Sequence, residues 1–124
     1  MHLLLESKFE QNGEISGYAY ASSWKPRIAY RFSVESSVYL APDKTGQGIG
    51  FQLYVELIRL LKLKNIHNII GGIALPNESS VKIHERCGFK KIGHFSEVGF
   101  KFDHWIDDGY WELLLHGTAN TENA

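Results

Sequence analysis

Hydrophobic and polar residues alternate over two short runs at the start of the chain. Alternation of this kind over residues 3–9 and 15–22 predicts two strands. Between them stands Asn12-Gly13, a dipeptide typical of a tight hairpin turn. We therefore expect the two strands to pair antiparallel, with Tyr18 and Tyr20 on the same face.

The middle of the chain changes from a strand period to a helix period and back. Residues 33–40 alternate and predict a third strand, with Glu35 and Ser36 on opposite faces. Residues 48–64 are largely apolar, with polar residues at spacings of three and four, which predicts a helix. The isoleucine-rich run over residues 66–75 predicts a central strand buried on both faces. Together these segments predict a crossover unit with two parallel strands.

The last third of the chain predicts a second helix and a strand-rich end. Asn77 or Ser79 caps this helix, and Gly88 is placed to end it. Residues 89–102 contain two β-like runs, 89–92 and 98–102, and residues 105–115 are expected to form a last strand. The order we expect is β-β-β-α-β-α-β-β. A single domain is expected over residues 1–116, followed by a frayed polar tail over residues 117–124.

Size, charge and composition narrow the class of protein. A chain of 124 residues fits one domain, and its net charge of −1 with no basic patch argues against nucleic acid as a partner. The sequence has no apolar run of about 18 residues and no secretory signal, so we expect a cytoplasmic protein without a membrane partner. The single cysteine, Cys87, is expected to be a small core residue. The five histidines other than His84 show no metal-ligand spacing with acidic or thiol partners, so no metal site is predicted: His2, His67, His94, His104 and His116.

A glycine loop, defined here as residues 45–50 (Thr-Gly-Gln-Gly-Ile-Gly), lies between the third strand and the first helix. Backbone N–H groups of such a loop point to one spot, and the helix dipole adds positive potential, so a phosphate or pyrophosphate suits it. The dinucleotide-binding fingerprint needs its third glycine one residue later, and the P-loop needs Lys-Ser/Thr where Phe51-Gln52 stand. The glycines alone therefore leave a phosphate site and a plain turn equally open.

The segments around this loop resemble the GCN5-related N-acetyltransferases (GNAT). Their motif A, Gln/Arg-x-x-Gly-x-Gly/Ala, is similar to residues 45–50, with Gly48 and Gly50 in the small positions and Thr45 where the family has Gln or Arg. The sequence from Asn77 to Gly88-Phe89 resembles the second family signature. Within the family, phosphinothricin and methionine sulfoximine N-acetyltransferases are the most similar, through residues 18–20, 23–25, 34–39, 98–101 and 105–107.

The resemblance implies a fold and an activity. The expected fold is the mixed α/β fold of GNAT acyl-CoA N-acyltransferases, with a bulge in the third strand, and without the first strand and first two helices that usually precede this segment. The expected activity is direct transfer of acetyl from acetyl-CoA to the α-amino group of a small amino-acid-like acceptor, in a homodimer. The alternative is a truncated, non-catalytic domain that binds acetyl-CoA or another protein.

Two residues are the candidates for catalysis. Glu35 is an acid in the middle of a strand otherwise suited to a core, and the resemblance places it at the general base; the alternative is an outward-facing surface glutamate. His84 takes the position of a proton donor to the leaving thiolate in the relatives; the alternative is a helix histidine that only forms hydrogen bonds.

The remaining candidates would bind the two substrates. Val38 and Leu40 are expected to offer backbone groups to the pantetheine arm, as an added strand would, and Asn77 either contacts the arm or only caps its helix. The complete set for acetyl-CoA is Val38, Tyr39, Leu40, Thr45, Gly46, Gln47, Gly48, Ile49, Gly50, Phe51, Asn77 and Ser80. The acceptor candidates, each of which alone could be an ordinary surface or packing residue, are Lys25, Arg27, Tyr30, Phe100 and Lys101.

Overall fold

The computed structural model describes residues 3–44, 46 and 48–115, so Thr45, Gln47 and the predicted tail lie outside the described residues. The described chain contains eight main elements: strands β1 (Leu3–Gln11), β2 (Glu14–Ser23) and β3 (Ser33–Leu40), helix α1 (Ile49–Leu63), strand β4 (Asn68–Leu75), helix α2 (Glu78–Arg86), and strands β5 (Lys90–Lys101) and β6 (His104–Leu114). Short 3-10 turns precede β3 and α1. The predicted order of strands and helices is confirmed.

The six strands form one mixed sheet in the order β1-β2-β3-β4-β6-β5. Strands β3 and β4 are parallel, as the crossover through α1 requires, and the other neighbours are antiparallel. The β1–β2 hairpin turns at Asn12 and Gly13, which have φ of 52° and 81°. Positive φ at both central residues is what a two-residue hairpin turn requires, and it explains why this dipeptide predicted the hairpin correctly.

The two faces of the sheet differ in what covers them. On the helix face, Val34, Ile69 and Trp111 belong to the same buried core cluster as Leu57 and Leu61 of α1, and all five are at most 2% exposed. Burying a side chain of this size stabilises the fold by about 1.5–3 kcal/mol. The opposite face, which we call the open face, carries the alternate residues of each strand. Both described helices pack on the helix face, so the open face is left for other contacts.

Burial of β4 differs from the sequence prediction. Ile69, Ile70, Gly71 and Ile73 are buried, but Gly72 is exposed on the open face. The prediction that this strand is buried on both faces is therefore wrong for its second half. The reason is that β3 stops pairing with β4 after Gly71, and no described helix covers the open face there.

Strand β5 also differs from the prediction of two separate runs. It is one strand whose pairing with β6 shifts between Lys91 and Gly93 and again between Phe95 and Gly99. The second shift is held by Asp107, whose Oδ1 accepts a hydrogen bond from the backbone N–H of Glu97 at 2.8 Å. These irregularities leave polar residues inside the strand, which is why the sequence pattern was interrupted there.

The bulge that the family resemblance implied for β3 is not part of its pairing with β2. The register between these strands runs without a shift from Val34, opposite Ser23, to Leu40, opposite Gly17. The predicted faces therefore hold: Glu35 lies on the open face, and Ser36 lies buried on the helix face.

Candidate active site

A cleft opens where β3 and β4 separate. The two strands pair from Ser33 and Asn68 only as far as Ser36 and Gly71, although β3 continues to Leu40. A cavity of about 320 Å³, which we call the strand cleft, lies along the part of β3 beyond this point. Its lining comes from the end of β3 and the start of α2: Val38, Tyr39, Leu40, Asn77, Ser79, Ser80 and Ile83.

The backbone of β3 offers hydrogen-bonding groups to this cleft. Two backbone hydrogen bonds join the ends of β3 to the β2 side: Trp24 N to Ser33 O (3.3 Å) and Ala41 N to Ser16 O (2.8 Å). They show that the backbone N–H and C=O groups of the odd-numbered residues point toward β2. The N–H and C=O groups of Val38 and Leu40 therefore point the other way, toward β4, which has already ended its pairing. This orientation is the one that an added extended chain needs.

The glycine loop joins the far end of the strand cleft. Gly46 and Gly48 have φ of 80° and 78°, a region that suits glycine, and Gly48 is the N-cap of α1. No side chain caps this helix, so the first N–H groups of α1 have no side-chain acceptor from the cap. A Cβ atom on Gly50 would lie 2.5 Å from Ile83 Cδ1, which shows how closely the loop approaches α2.

Two basic residues of α2 face the glycine loop across a second cleft of about 300 Å³. Lys82 and Arg86 both line this cleft with Gly46 and Gly48, and the Arg86 guanidinium lies 3.9 Å from the centre of the Phe51 ring. The sequence analysis missed both residues. Their spacing of four residues on a helix that follows a phosphate-loop candidate was a usable signal.

The other residues predicted to bind acetyl-CoA lie in different parts of the fold. Ile49 is buried in the core, and Tyr39 projects from the open face, where its ring lies 5.4 Å from that of Tyr18. Asn77 caps α2 by accepting a hydrogen bond from Ser80 N at 3.2 Å, and it also lines the strand cleft. The cap interpretation of Asn77 is therefore confirmed, and it is compatible with a ligand contact.

Glu35 and His84 lie on opposite faces of the sheet at the point where the strands separate. Glu35 pairs with Ile70, one position before the last pair of Ser36 with Gly71. Its side chain is half-buried on the open face. His84 is 2% exposed on the helix face, and a Cβ atom on Gly71 would lie 2.6 Å from its Nε2. Both candidates therefore lie beside the last pair of β3 with β4, a point that we call the apex of the strand cleft, although neither side chain is part of the cleft lining.

His84 belongs to a buried chain of hydrogen bonds. Its Nδ1 lies 2.7 Å from the Ser80 carbonyl, which can only accept, so Nδ1 carries the proton and Nε2 accepts. Tyr54 O–H donates to Nε2 at 2.9 Å, and the Tyr54 oxygen accepts from Ser36 O–H at 2.8 Å. Both ring nitrogens are therefore engaged within the protein, and the chain links β3 to the first turns of α2.

Because His84 is buried in its neutral form, the stability of the fold is expected to depend on pH. Burial lowers the pKa of its imidazole, against a smaller opposite effect of the Ser80 carbonyl. Below the unfolded pKa of about 6.5, the unfolded chain takes up a proton that the folded chain does not. We therefore expect the free energy of unfolding to fall as the pH drops below about 6.5. In His84→Gln, the free energy of unfolding should fall less over the same pH range.

Urea denaturation at about pH 7.5 and about pH 5.5 measures this difference. His104→Gln is the matched control, since His104 is exposed at the β5–β6 turn. Equal losses on acidification in the wild type and in His84→Gln would show that His84 does not set this dependence.

The predicted acceptor residues lie at two ends of the sheet. Lys25, Arg27 and Tyr30 belong to the exposed connection that enters β3 just before Glu35. Phe100 and Lys101 lie at the tip of the β5–β6 hairpin, beyond the pair of Leu75 with Asp107. Glu35 lies in line with Ile70 of β4 and Glu112 of β6, which we call the row of Glu35. The tip, where Lys101 pairs with His104, is eight residues of β6 away from this row, or roughly 25 Å. Within one chain, these two groups are therefore not brought together.

Two further expectations concern reactivity and metals. Cys87 is half-buried against the core, and burial raises the pKa of its thiol to about 11, so it is a packing residue with little thiolate at neutral pH. Across the described ranges, no three His, Cys, Asp or Glu side chains are grouped closely enough to hold a metal ion. Neither described helix is long and apolar enough to cross a membrane.

Comparison with known proteins identifies the family. A family model described as the acetyltransferase (GNAT) domain matches residues 7–110, and the chain therefore belongs to the GNAT acetyltransferases. It is 42% identical over 105 residues to the phosphinothricin N-acetyltransferase of Streptomyces coelicolor, covering 85% of this chain and 61% of that protein. It is 37% identical over 108 residues to the L-methionine sulfoximine/L-methionine sulfone acetyltransferase of Pseudomonas paraeruginosa, covering 87% and 63%.

A solved structure shows the same fold. The GNAT superfamily phosphinothricin acetyltransferase from Sinorhizobium meliloti, in complex with acetyl-CoA, superposes with a TM-score of 0.82 at 37% identity. The match covers 93% of this chain and 64% of that one. The predicted GNAT fold is thereby confirmed, and the chain spans about three fifths of the length of the relatives described here.

Proposed function

We propose that this protein transfers acetyl from acetyl-CoA to the α-amino group of a small amino-acid-like acceptor, of the phosphinothricin or methionine sulfoximine type. The observation that carries the proposal is the separation of β3 from β4 beside Glu35. It leaves unpaired backbone groups along one side of the strand cleft and places a carboxylate at its apex. The names of the relatives support the class of acceptor.

Acetyl-CoA fits the residues that line the two clefts. The glycine loop and the uncapped start of α1 suit the pyrophosphate, because helix N-termini favour anions. Lys82 and Arg86 add positive charge opposite the loop, where further phosphate oxygens would gain from it. The backbone groups of Val38 and Leu40 suit the amides of the pantetheine arm. When bound, acetyl-CoA supplies the activated acetyl group as a thioester.

The residues at the apex account for the proton transfers that the reaction needs. Glu35 accepts a proton from the acceptor's ammonium group, which frees the nitrogen lone pair to attack the acetyl carbonyl. A backbone N–H of β3 stabilises the carbonyl oxygen as it gains charge. The carbon–sulfur bond then breaks, and the thiolate takes up a proton. His84 as the donor of that proton stays a prediction, since its ring nitrogens are bonded to Tyr54 and Ser80.

Lys25, Arg27 and Tyr30 are proposed to bind the carboxylate of the acceptor, because their segment enters β3 close to Glu35. Two of them are cationic, and Tyr30 is exposed with a hydroxyl donor. Phe100 and Lys101 lie too far from Glu35 to contact the same small acceptor within one chain. Their proposed contact with the acceptor therefore requires a second chain.

A thiol-release assay tests the proposal. Acetyl-CoA is mixed with the protein and with L-phosphinothricin, L-methionine sulfoximine, L-methionine sulfone or a panel of free amino acids, and free CoA thiol is followed. We expect release that depends on at least one of the named acceptors. Acetyl-CoA binding without release for any acceptor would instead support the non-catalytic alternative, and no binding would overturn both.

We also propose a homodimer, as predicted from the sequence. The exposed apolar side chains of the β5–β6 hairpin support it, because large bare apolar patches usually mark an interface. They include Phe95, Val98, Phe100, Phe102 and Trp105. Sedimentation at micromolar concentration is expected to give the mass of two chains, and Phe102→Asp, at the 85% exposed Phe102, should shift it toward one. A wild-type mass of one chain would contradict the proposal.

A cytoplasmic location also stays a prediction.

A further inference from the structure

We propose that Tyr110 is an acceptor-binding residue, whose phenol O–H donates a hydrogen bond to an oxygen atom of the acceptor on the open face beside Glu35. The inference rests on the proposed function and names a residue that neither the family motifs nor the sequence pattern pointed to. It follows from sheet register, from a missing side chain at Gly72, and from the contacts of the Tyr110 ring.

Sheet register places Tyr110 close to Glu35. Glu35 pairs with Ile70 of β4, and Tyr110 of β6 pairs with Gly72, the next β4 residue on the same face. All four residues therefore lie on the open face, with only β4 between β3 and β6. Two strand spacings across the sheet and two residues along it separate the backbones of Glu35 and Tyr110 by roughly 12 Å, a span that two long side chains pointing toward each other can largely bridge.

The missing side chain at Gly72 leaves room for the tyrosine ring. A Cβ atom there would lie 2.9 Å from Tyr110 Cε1, closer than side chains tolerate, so the ring lies over the bare backbone of Gly72. On its other side, the Phe95 ring meets the Tyr110 ring edge to face with 5.7 Å between centres. Phe95 thus holds the ring from the β5 side, and Gly72 leaves the β3 side open.

The electrostatic surroundings keep the phenol protonated. Partial burial raises the pKa of Tyr110, and the carboxylates of Glu35 and Asp108 raise it further. A protonated phenol at neutral pH is a hydrogen-bond donor. The influence of Glu35 on Tyr110 also agrees with the register, because it requires the two side chains to be near each other.

This arrangement fits the chemistry of the proposed acceptors. An amino acid carries an ammonium group and oxygen atoms only a few bonds apart. Glu35 would take the ammonium proton, and the Tyr110 hydroxyl would bind a carboxylate, phosphinate or sulfoximine oxygen nearby. Gly72 is exposed on the open face and has no side chain, so no Gly72 side chain projects between Glu35 and Tyr110.

Tyr110→Phe is the sharpest test, because it removes one oxygen atom and keeps the ring between Phe95 and Gly72. The Michaelis constant for the acceptor should rise about tenfold, as expected for losing a hydrogen bond to a charged group, while kcat and acetyl-CoA affinity change little. Tyr18→Phe is the matched control. Tyr18 lies on the same face and pairs with Tyr39, which is four residues along β3 from Glu35, or roughly 13 Å. It should leave all three quantities unchanged.

A second variant tests the role of Gly72. Gly72→Ala adds a Cβ atom that must displace the Tyr110 ring, so it should raise the acceptor's Michaelis constant in the wild type. Combined with Tyr110→Phe, it should add little, because the hydroxyl that it displaces is already absent. A full additional effect in the double variant would contradict this coupling.

The outcomes separate this inference from the proposed function. An active wild type with Tyr110→Phe unchanged in its Michaelis constant overturns the role of Tyr110 and leaves the acetyltransferase assignment standing. A fall in kcat alone, without a change in the Michaelis constant, also overturns the binding role. A wild type that releases no thiol with any acceptor overturns both.

Discussion

Glu35→Gln is expected to lower turnover by about 10²–10⁴-fold near neutral pH, the range for losing general-base catalysis, with acetyl-CoA affinity little changed. The substitution keeps the shape of a side chain that is half-buried at the apex of the strand cleft. It removes the group that takes the proton from the acceptor. The clefts assigned to acetyl-CoA are lined by other residues, so binding should persist.

The pH dependence of this loss identifies its cause. The α-ammonium group of a free amino acid loses its proton in alkaline solution, so the free amine forms without help as the pH rises. The gap between Glu35→Gln and the wild type should therefore narrow at high pH. Glu6→Gln is the control, because Glu6 is an exposed acid on the same face, opposite Tyr20. Near-full turnover of Glu35→Gln at neutral pH on a verified acceptor would show that another group is the base.

The order of the elements could be predicted because the deciding signals are local. Asn12-Gly13 requires positive φ at both positions, and a run of isoleucines flanked by a helix and a proline leaves few alternatives to a central strand. The exposure of Gly72 could not be predicted, because it depends on where β3 leaves β4. The continuity of β5 depends on the bond from Glu97 N–H to Asp107, ten residues away along the chain.

The same distinction holds for the candidate site. Glu35 and the glycine loop stand out in sequence, as an acid in a strand and as glycines before a helix. The direction of the His84 ring does not, because it is set by Tyr54, thirty residues away. Tyr110 faces Glu35 only through the register of three strands and the absence of a side chain at Gly72. Proximity of this kind cannot be read from any local pattern.

Gly48→Asp is expected to weaken acetyl-CoA binding by about 100-fold or more, which titration calorimetry with CoA measures directly. Gly48 is the N-cap of α1, exposed, with open space around the position of a Cβ atom. A carboxylate there would lie where we place the pyrophosphate. Two like charges about 4 Å apart repel by about 4 kcal/mol at an effective dielectric constant of 20, before screening by salt.

Two controls separate charge from backbone strain. Gly48→Ala imposes a side chain at a φ of 78° without adding charge, so it should weaken binding far less than Gly48→Asp. Gly13→Asp places the same charge at a φ of 81°, again with open space around the Cβ position, but in the β1–β2 turn. It should reduce stability to a similar extent and leave CoA affinity unchanged. Unaltered CoA titration by a folded Gly48→Asp variant would show that the phosphate groups bind elsewhere, because a charge at the N-terminus of α1 could not then be close to them.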